Sequence, residues 1–127
     1  MINTLIIYDK FISGILIIIN KKVFMEIKEK IVNDISNNFV MLYMKGTKEM
    51  PMCGFSATIV KILNHYEVNY KATNVLENPN IRQELTKHSN WPTIPQLFVG
   101  GELIGGCDIA LEMHNQGTLE PVFDNKS

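Results

Sequence analysis

Between Phe39 and Val75 the chain reads as strand, loop, helix, strand, and no other stretch restricts its fold as much. Phe39 to Tyr43 is a short apolar run with β-forming residues, and Val68 to Val75 alternates weakly. Between them Lys45 to Met52 holds Gly46 and Pro51 and reads as a loop, after which Ala57, Val60, Ile62, Leu63 and Tyr66 recur at helical spacing. One helix joining two short strands makes a βαβ unit with the strands parallel. Parallel strands are covered on both faces, so an α/β class follows.

The flanking segments extend this unit. Phe24, Ile27, Ile31 and Ile35 recur every three or four residues up to a break at Asn37-Asn38, the pattern of an amphipathic helix ahead of the first strand. Asn78-Pro79-Asn80 opens a helix carrying Ile81 and Leu85, with Arg82 and Lys87 as its basic pair. Gln96 to Val99 and Glu102 to Ile104 flank Gly100-Gly101, which suits a two-residue hairpin. Gly105-Gly106 ends the hairpin, Asp108, Ile109, Leu111 and Met113 begin a last helix closed near Gly117, and the final residues read as a frayed tail. A parallel βαβ unit followed by a hairpin and a helix gives a central four-stranded mixed sheet flanked by helices on both faces, the layout of the thioredoxin fold.

Residues 1–24 differ in composition from the rest. Phe11 to Ile19 is apolar except for Ser13 and Gly14, too short for the ~18–20 residues of a membrane span. It has the length of a signal-peptide core, but only Lys10 precedes it, beside Asp9, and no small-residue cleavage site follows. The segment is read as an N-terminal extension with a weak targeting character, which leaves a mitochondrion, another organelle or the cytoplasm open. The domain is assigned to residues 25–123 and the tail to 124–127.

With 127 residues there is room for one domain and its core. A net charge of −1 with scattered lysines and acids provides no basic stripe, which argues against nucleic-acid binding. Two cysteines more than fifty positions apart form neither a disulfide framework nor a zinc signature. They point to a reducing compartment. His65, His88 and His114 show no ligand spacing.

Cys53 opens the run Cys53-Gly54-Phe55-Ser56 where the helix begins. Unpaired N–H groups and the positive end of the macrodipole favour a thiolate there, and the thiolate is both nucleophile and metal ligand. A buried, inert cysteine is the competing reading. Lys45, Cys53-Gly54-Phe55-Ser56, Trp91-Pro92-Thr93-Ile94-Pro95-Gln96 and Gly105-Gly106-Cys107-Asp108, in this order, together resemble the monothiol glutaredoxins of the CGFS type. The resemblance covers about residues 25 to 123.

That resemblance implies a thioredoxin fold, a cis peptide bond before Pro95, and glutathione as ligand. It places the glycine carboxylate of glutathione near Lys45 and Arg82, its cysteinyl backbone against Ile94, and its γ-glutamyl group at Gly106, Cys107 and Asp108, with Phe55 and Trp91 flanking. These assignments are chemically sensible, since a carboxylate suits a guanidinium or ammonium and an extended peptide can add to a strand edge. Without the family, Lys45, Arg82 and Asp108 would be surface charges or caps and Trp91 a core residue. Ser56 occupies the place of the second cysteine of dithiol relatives, so Cys53 has no partner for a short intramolecular disulfide. Family precedent adds that the long loop Gly46 to Pro51 leaves little activity on glutathione mixed disulfides.

A 2Fe-2S cluster normally takes four thiolates. One Cys53 from each of two chains and two glutathiones would complete that set in a cluster-bridged homodimer. The implied function is cluster transfer from a scaffold to recipient apo-proteins. A glutathione-dependent oxidoreductase acting through Cys53 alone is the alternative, and a regulatory module reporting cluster status is a third. Cys107 has three open roles, in order of preference: structural, a disulfide switch with Cys53, or a cluster ligand replacing glutathione.

Overall fold

A computed structural model describes residues 2–124. The first helix, α1, runs from Ile2 to Asn37, and strand β1 follows at Val40–Met44. After the loop come helix α2 (Gly54–His65) and strand β2 (Lys71–Asn74), and a short 3₁₀ turn at Val75–Glu77 leads to helix α3 (Pro79–Ser89). Strands β3 (Gln96–Val99) and β4 (Glu102–Gly105) form the hairpin, followed by helices α4 (Cys107–Gln116) and α5 (Glu120–Asp124). The sheet order is β2-β1-β3-β4, parallel between β1 and β2 and antiparallel elsewhere. This is the expected four-stranded mixed sheet.

All five residues of β1 are buried, because a central strand with helices on both sides has no wet face. Val40, Leu42 and Met44 face Ile59, Val60 and Leu63 of α2 and Ala110 of α4. Met41 and Tyr43 point the other way, onto Ile31 and Ile35 of α1 and Leu85 of α3. The stripe Ile27, Ile31, Ile35 seals the sheet as its periodicity predicts. Asp34 on the same helix receives Lys30 and, from β2, Lys71, each at 2.7 Å, so an ionic clamp fastens α1 to the sheet edge.

Several boundaries differ from the sequence reading. Strand β1 starts at Val40, since the Phe39 carbonyl is spent on the Gly100 amide at 2.7 Å and closes the neighbouring turn. The second strand pairs only over Lys71–Asn74, because Asn74 turns its side-chain oxygen to the Leu76 amide and starts the 3₁₀ turn. In the hairpin, β4 reaches Gly105, and the register skips Ile104 as Leu97 pairs with Gly105 and Phe98 with Leu103.

The segment 1–24, set apart from the domain by composition, continues into it from Ile2 onward as one unbroken helix. No proline interrupts the run, and it ends where Asn38 donates its side-chain amide to the Asp34 carbonyl. Beyond Gly117 the chain forms α5, a helix that the sequence pattern does not mark. Leu119 is fully buried, and Val122 and Phe123 of α5 pack against the α2/α4 core. Gly117, at φ 74°, turns the chain back to make this possible. Residues 125–127 of the assigned tail lie outside the described residues. Replacing Leu119 with Ala is expected to cost about 2–4 kcal/mol in urea unfolding through the cavity it leaves, and a loss near zero would show α5 to be dispensable.

Candidate functional site

Cys53 is the N-cap of α2, with extended backbone angles (φ −153°, ψ 137°), and its carbonyl accepts from the Ala57 amide at 2.9 Å. This holds the thiol over the first turn, where helix amides have no internal partner. The Cys53 thiol is lowered from its ordinary pKa, chiefly by the Ser56 N–H; burial opposes this next in size, and the Phe55 N–H, the Lys45 ammonium and the Ser56 hydroxyl each add to the lowering. The position is half-exposed. A lowered pKa together with access marks a reactive thiol rather than a core filler.

Ser56 is fully buried, and its hydroxyl oxygen accepts the Lys45 amide at 3.1 Å. The residue that stands in place of a second cysteine therefore joins the end of β1 to the first turn of α2. Lys45 in turn accepts the Met52 amide at 2.9 Å and starts a tight loop in which Gly46 bridges Pro51. Gly46 has φ 91°, and a β-carbon there would lie 2.6 Å from the Met52 nitrogen, so no other residue closes the loop without moving backbone. The Gly46 amide donates to the Asn74 side chain at 2.9 Å, which anchors the loop to the end of β2.

The second wall is the loop Trp91–Pro95. The Ile94–Pro95 bond is cis, as the family resemblance implies. A β-carbon on Gly106 would meet the Pro95 carbonyl oxygen at 3.2 Å and the Trp91 indole nitrogen at 3.6 Å, so this loop lies directly against the start of α4. Gln96 fixes it from behind. Fully buried, its amide group donates to the Trp91 carbonyl at 2.9 Å and the Thr93 carbonyl at 3.1 Å. The sequence places Gln96 in the Trp91–Gln96 motif and at the start of a strand but assigns it no bracing role; the signal was an amide at the head of the otherwise apolar strand Gln96-Leu97-Phe98-Val99.

The predicted residues separate into groups. Cys53 and Lys45 interact electrostatically, as do Cys53 and Cys107, so these three come together. Cys107, the first residue of α4, is buried against Ile59 and Val60; burial pushes its thiol up, the Asp108 and Cys53 charges add to this, and a Thr58 hydrogen bond opposes it. That environment fits the structural role. Gly106 is buried beside Pro95, and Asp108 is exposed on the first turn of α4. Phe55 stands 61% exposed next to Cys53. The side chain of Ile94 is buried with the α1/α3 core, leaving its backbone as the group available to a ligand. Arg82 sits on the exposed surface of α3 beside Gln83, Thr86 and Lys87. Among the described residues neither Arg82 nor Lys45 is in an ion pair. His114 is used structurally, its Nδ1 lying 2.6 Å from the Tyr66 hydroxyl.

Residues 40–104 match the family model described as Glutaredoxin. The "Probable monothiol glutaredoxin 2" of Rickettsia felis is 58% identical over 95 residues, covering 75% of this chain and 91% of the relative. The chain belongs to the monothiol glutaredoxins. The solution structure of reduced apo GrxS14 from poplar superposes with a TM-score of 0.67 at 44% identity, covering 74% of this chain and 86% of that one. A buckwheat glutaredoxin–glutathione complex shares the fold, with a TM-score of 0.71 at 23% identity over 80% of this chain and 90% of its own. Cys53 is thus the single motif thiol of a monothiol glutaredoxin, and Ser56 its fixed neighbour.

Because the Ser56 N–H is the largest influence on Cys53, the alkylation rate of Cys53 by iodoacetamide is expected to rise with pH through a midpoint below that of an ordinary thiol. Lys45→Gln is expected to move that midpoint upward while leaving it below the ordinary value. A midpoint in Lys45→Gln equal to that of a free thiol would show the lysine, not the helix start, to be in control. Gln96→Leu is expected to speed amide exchange across Trp91–Thr93, because two buried hydrogen bonds worth about 1 kcal/mol each are lost; unchanged exchange there would remove Gln96 as the support of the loop.

Proposed function

We propose that this chain holds glutathione across Cys53 and, with a second chain, carries a 2Fe-2S cluster from a scaffold to recipient apo-proteins. The observation that carries the proposal is the isolation of one accessible thiol, its pKa lowered at a helix start, while Ser56, at the resolving position, is buried and hydrogen-bonded to the Lys45 amide. Such a thiol has no cysteine partner within its own motif, and it serves best as a ligand or as a nucleophile whose product an external thiol resolves.

The residues present fit glutathione. Lys45 and Arg82, neither in an ion pair among the described residues, suit its glycine carboxylate. The backbone of Ile94, held by the Gln96-supported loop, suits its cysteinyl amide groups. The start of α4 at Gly106, Cys107 and Asp108 suits the γ-glutamyl end, with unpaired amides for the carboxylate and the Asp108 carboxylate for the ammonium. The buckwheat relative is a glutathione complex, which supports the same ligand here.

The cluster is cargo. Among the described residues no group of three or more histidine, cysteine or acidic side chains forms a metal cage. With Cys107 buried, each chain offers one accessible thiol, and two glutathione thiols with two copies of Cys53 supply the four ligands a 2Fe-2S unit takes. Half of those ligands are exchangeable small molecules, which suits delivery. The homodimer is held by the cluster, and its affinity comes from metal–thiolate bonds. The compartment is a reducing one, in an organelle or the cytoplasm.

The lowered thiol also favours a second reading, an enzyme. In that reaction the Cys53 thiolate attacks the glutathionyl sulfur of a mixed disulfide, releasing the substrate thiol, and a second glutathione resolves the Cys53 adduct to give glutathione disulfide.

Anaerobic reconstitution with iron and sulfide, with and without glutathione, tests the carrier on wild type, Cys53→Ser and Cys107→Ser. A visible chromophore that requires glutathione, survives Cys107→Ser and disappears in Cys53→Ser is the expected result. A chromophore independent of glutathione but lost in Cys107→Ser would give the four-cysteine site instead. No chromophore in any sample, with turnover of a glutathionylated peptide, would replace the carrier by the oxidoreductase.

A further inference from the structure

Among the described residues, most of the exposed large apolar side chains are not at the thiol. They are concentrated on the first half of α1, where Ile7 (67%), Phe11 (65%) and Ile18 (67%) are among a continuous series of exposed large apolar residues. A surface of this size on a soluble domain is a docking site, because isolated apolar residues are normal and contiguous ones are costly.

The arrangement around the helix identifies what covers it. At about 100° per residue, Asp9, Lys10, Ser13, Asn20 and Lys21 fall within an arc of roughly 120°. Ile7, Phe11, Ile12, Ile15, Leu16 and Ile19 occupy the opposite arc of about 180°. Ile17 intrudes on the polar side and Lys22 on the apolar one, where its long stem can carry the ammonium outward. A helix pairing with a second copy needs a narrow seam, far less than this half-cylinder. Nor does the segment cross a bilayer: among the described residues no helix is long and apolar enough.

A wide apolar arc beneath a narrow polar one is the form of a helix lying in the plane of a lipid surface. Lys10 and Lys21 sit on the same side, roughly 16 Å apart along the axis, with Lys22 beside the second. Three ammonium groups against the single carboxylate of Asp9 give this stretch a net positive charge, complementary to anionic headgroups. We propose that residues 7–23 of α1 form an in-plane anchor on an anionic lipid surface. The helix continues unbroken into the Ile27, Ile31, Ile35 stripe that packs on the sheet, so anchoring fixes the whole domain to the surface. Helix α2, which begins beside Cys53, packs on the opposite face of the sheet from that stripe.

Flotation of the full chain through a sucrose gradient tests the anchor, using vesicles of phosphatidylcholine alone and vesicles that also contain phosphatidylglycerol. Wild type is expected to float with the anionic vesicles at low salt. The pair Lys10→Glu and Lys21→Glu is expected to weaken that binding roughly tenfold or more, and the pair Ile15→Ser and Ile18→Ser to abolish it. All four positions are exposed, so urea unfolding of the domain should match wild type in both variants. Wild type remaining at the bottom of the gradient would overturn the proposal. So would flotation unaffected by both pairs, or a discrete soluble oligomer that the serine pair dissociates.

Discussion

The hydrogen bond from the Lys45 amide to the buried Ser56 hydroxyl is the joint on which the functional end of this protein depends. It connects the last turn of sheet to the first turn of helix, and so decides where Cys53 stands relative to the unpaired amides of α2. If the joint slackened, the Ser56 and Phe55 amides would no longer bear on the thiol, and the strongest influences favouring the thiolate would go with them. The Gly46 loop reinforces the same joint from outside, since its backbone is pinned to Asn74 at the end of the neighbouring parallel strand. The surroundings that lower the Cys53 thiol are thereby tied to the pairing of β1 with β2.

Across the cleft, a second rigid wall is made by a different device. Gln96 is buried at the start of β3 and uses its amide hydrogens on two carbonyls of the Trp91–Pro95 loop. The loop in turn rests against Gly106, where a side chain would press on the Pro95 carbonyl. Two walls built on adjacent sheet strands leave little for ligand binding to organise, which lowers the ordering cost of holding a small peptide.

Most of the fold was legible because its signals are local. The Ile27, Ile31, Ile35 stripe, the Asn78 cap before Pro79, and the Gly100-Gly101 turn each act within a few residues and fell where the pattern placed them. Helix α5 was not legible, since five residues carry too little periodicity, and only burial of Leu119, Val122 and Phe123 against distant helices makes the segment a helix. The continuity of α1 was missed for a related reason. Composition separated residues 1–24 from the domain, whereas backbone helicity asks only that nothing break the run. At the site, Cys53, Lys45 and the Pro95 loop were readable from motifs, but the burial of Ser56 and the bracing by Gln96 are long-range facts that a single sequence states only as letters.

Together these features describe a monothiol glutaredoxin with one accessible motif thiol, on which the proposal of a cluster shared with external thiols rests. Native mass spectrometry of the cluster-loaded protein under anaerobic conditions tests this most directly. The expected species contains two chains, one 2Fe-2S unit and two glutathiones, and it falls apart to single chains when the cluster is removed. A loaded species containing one chain, or two chains without glutathione, would contradict a carrier whose only protein ligand is Cys53.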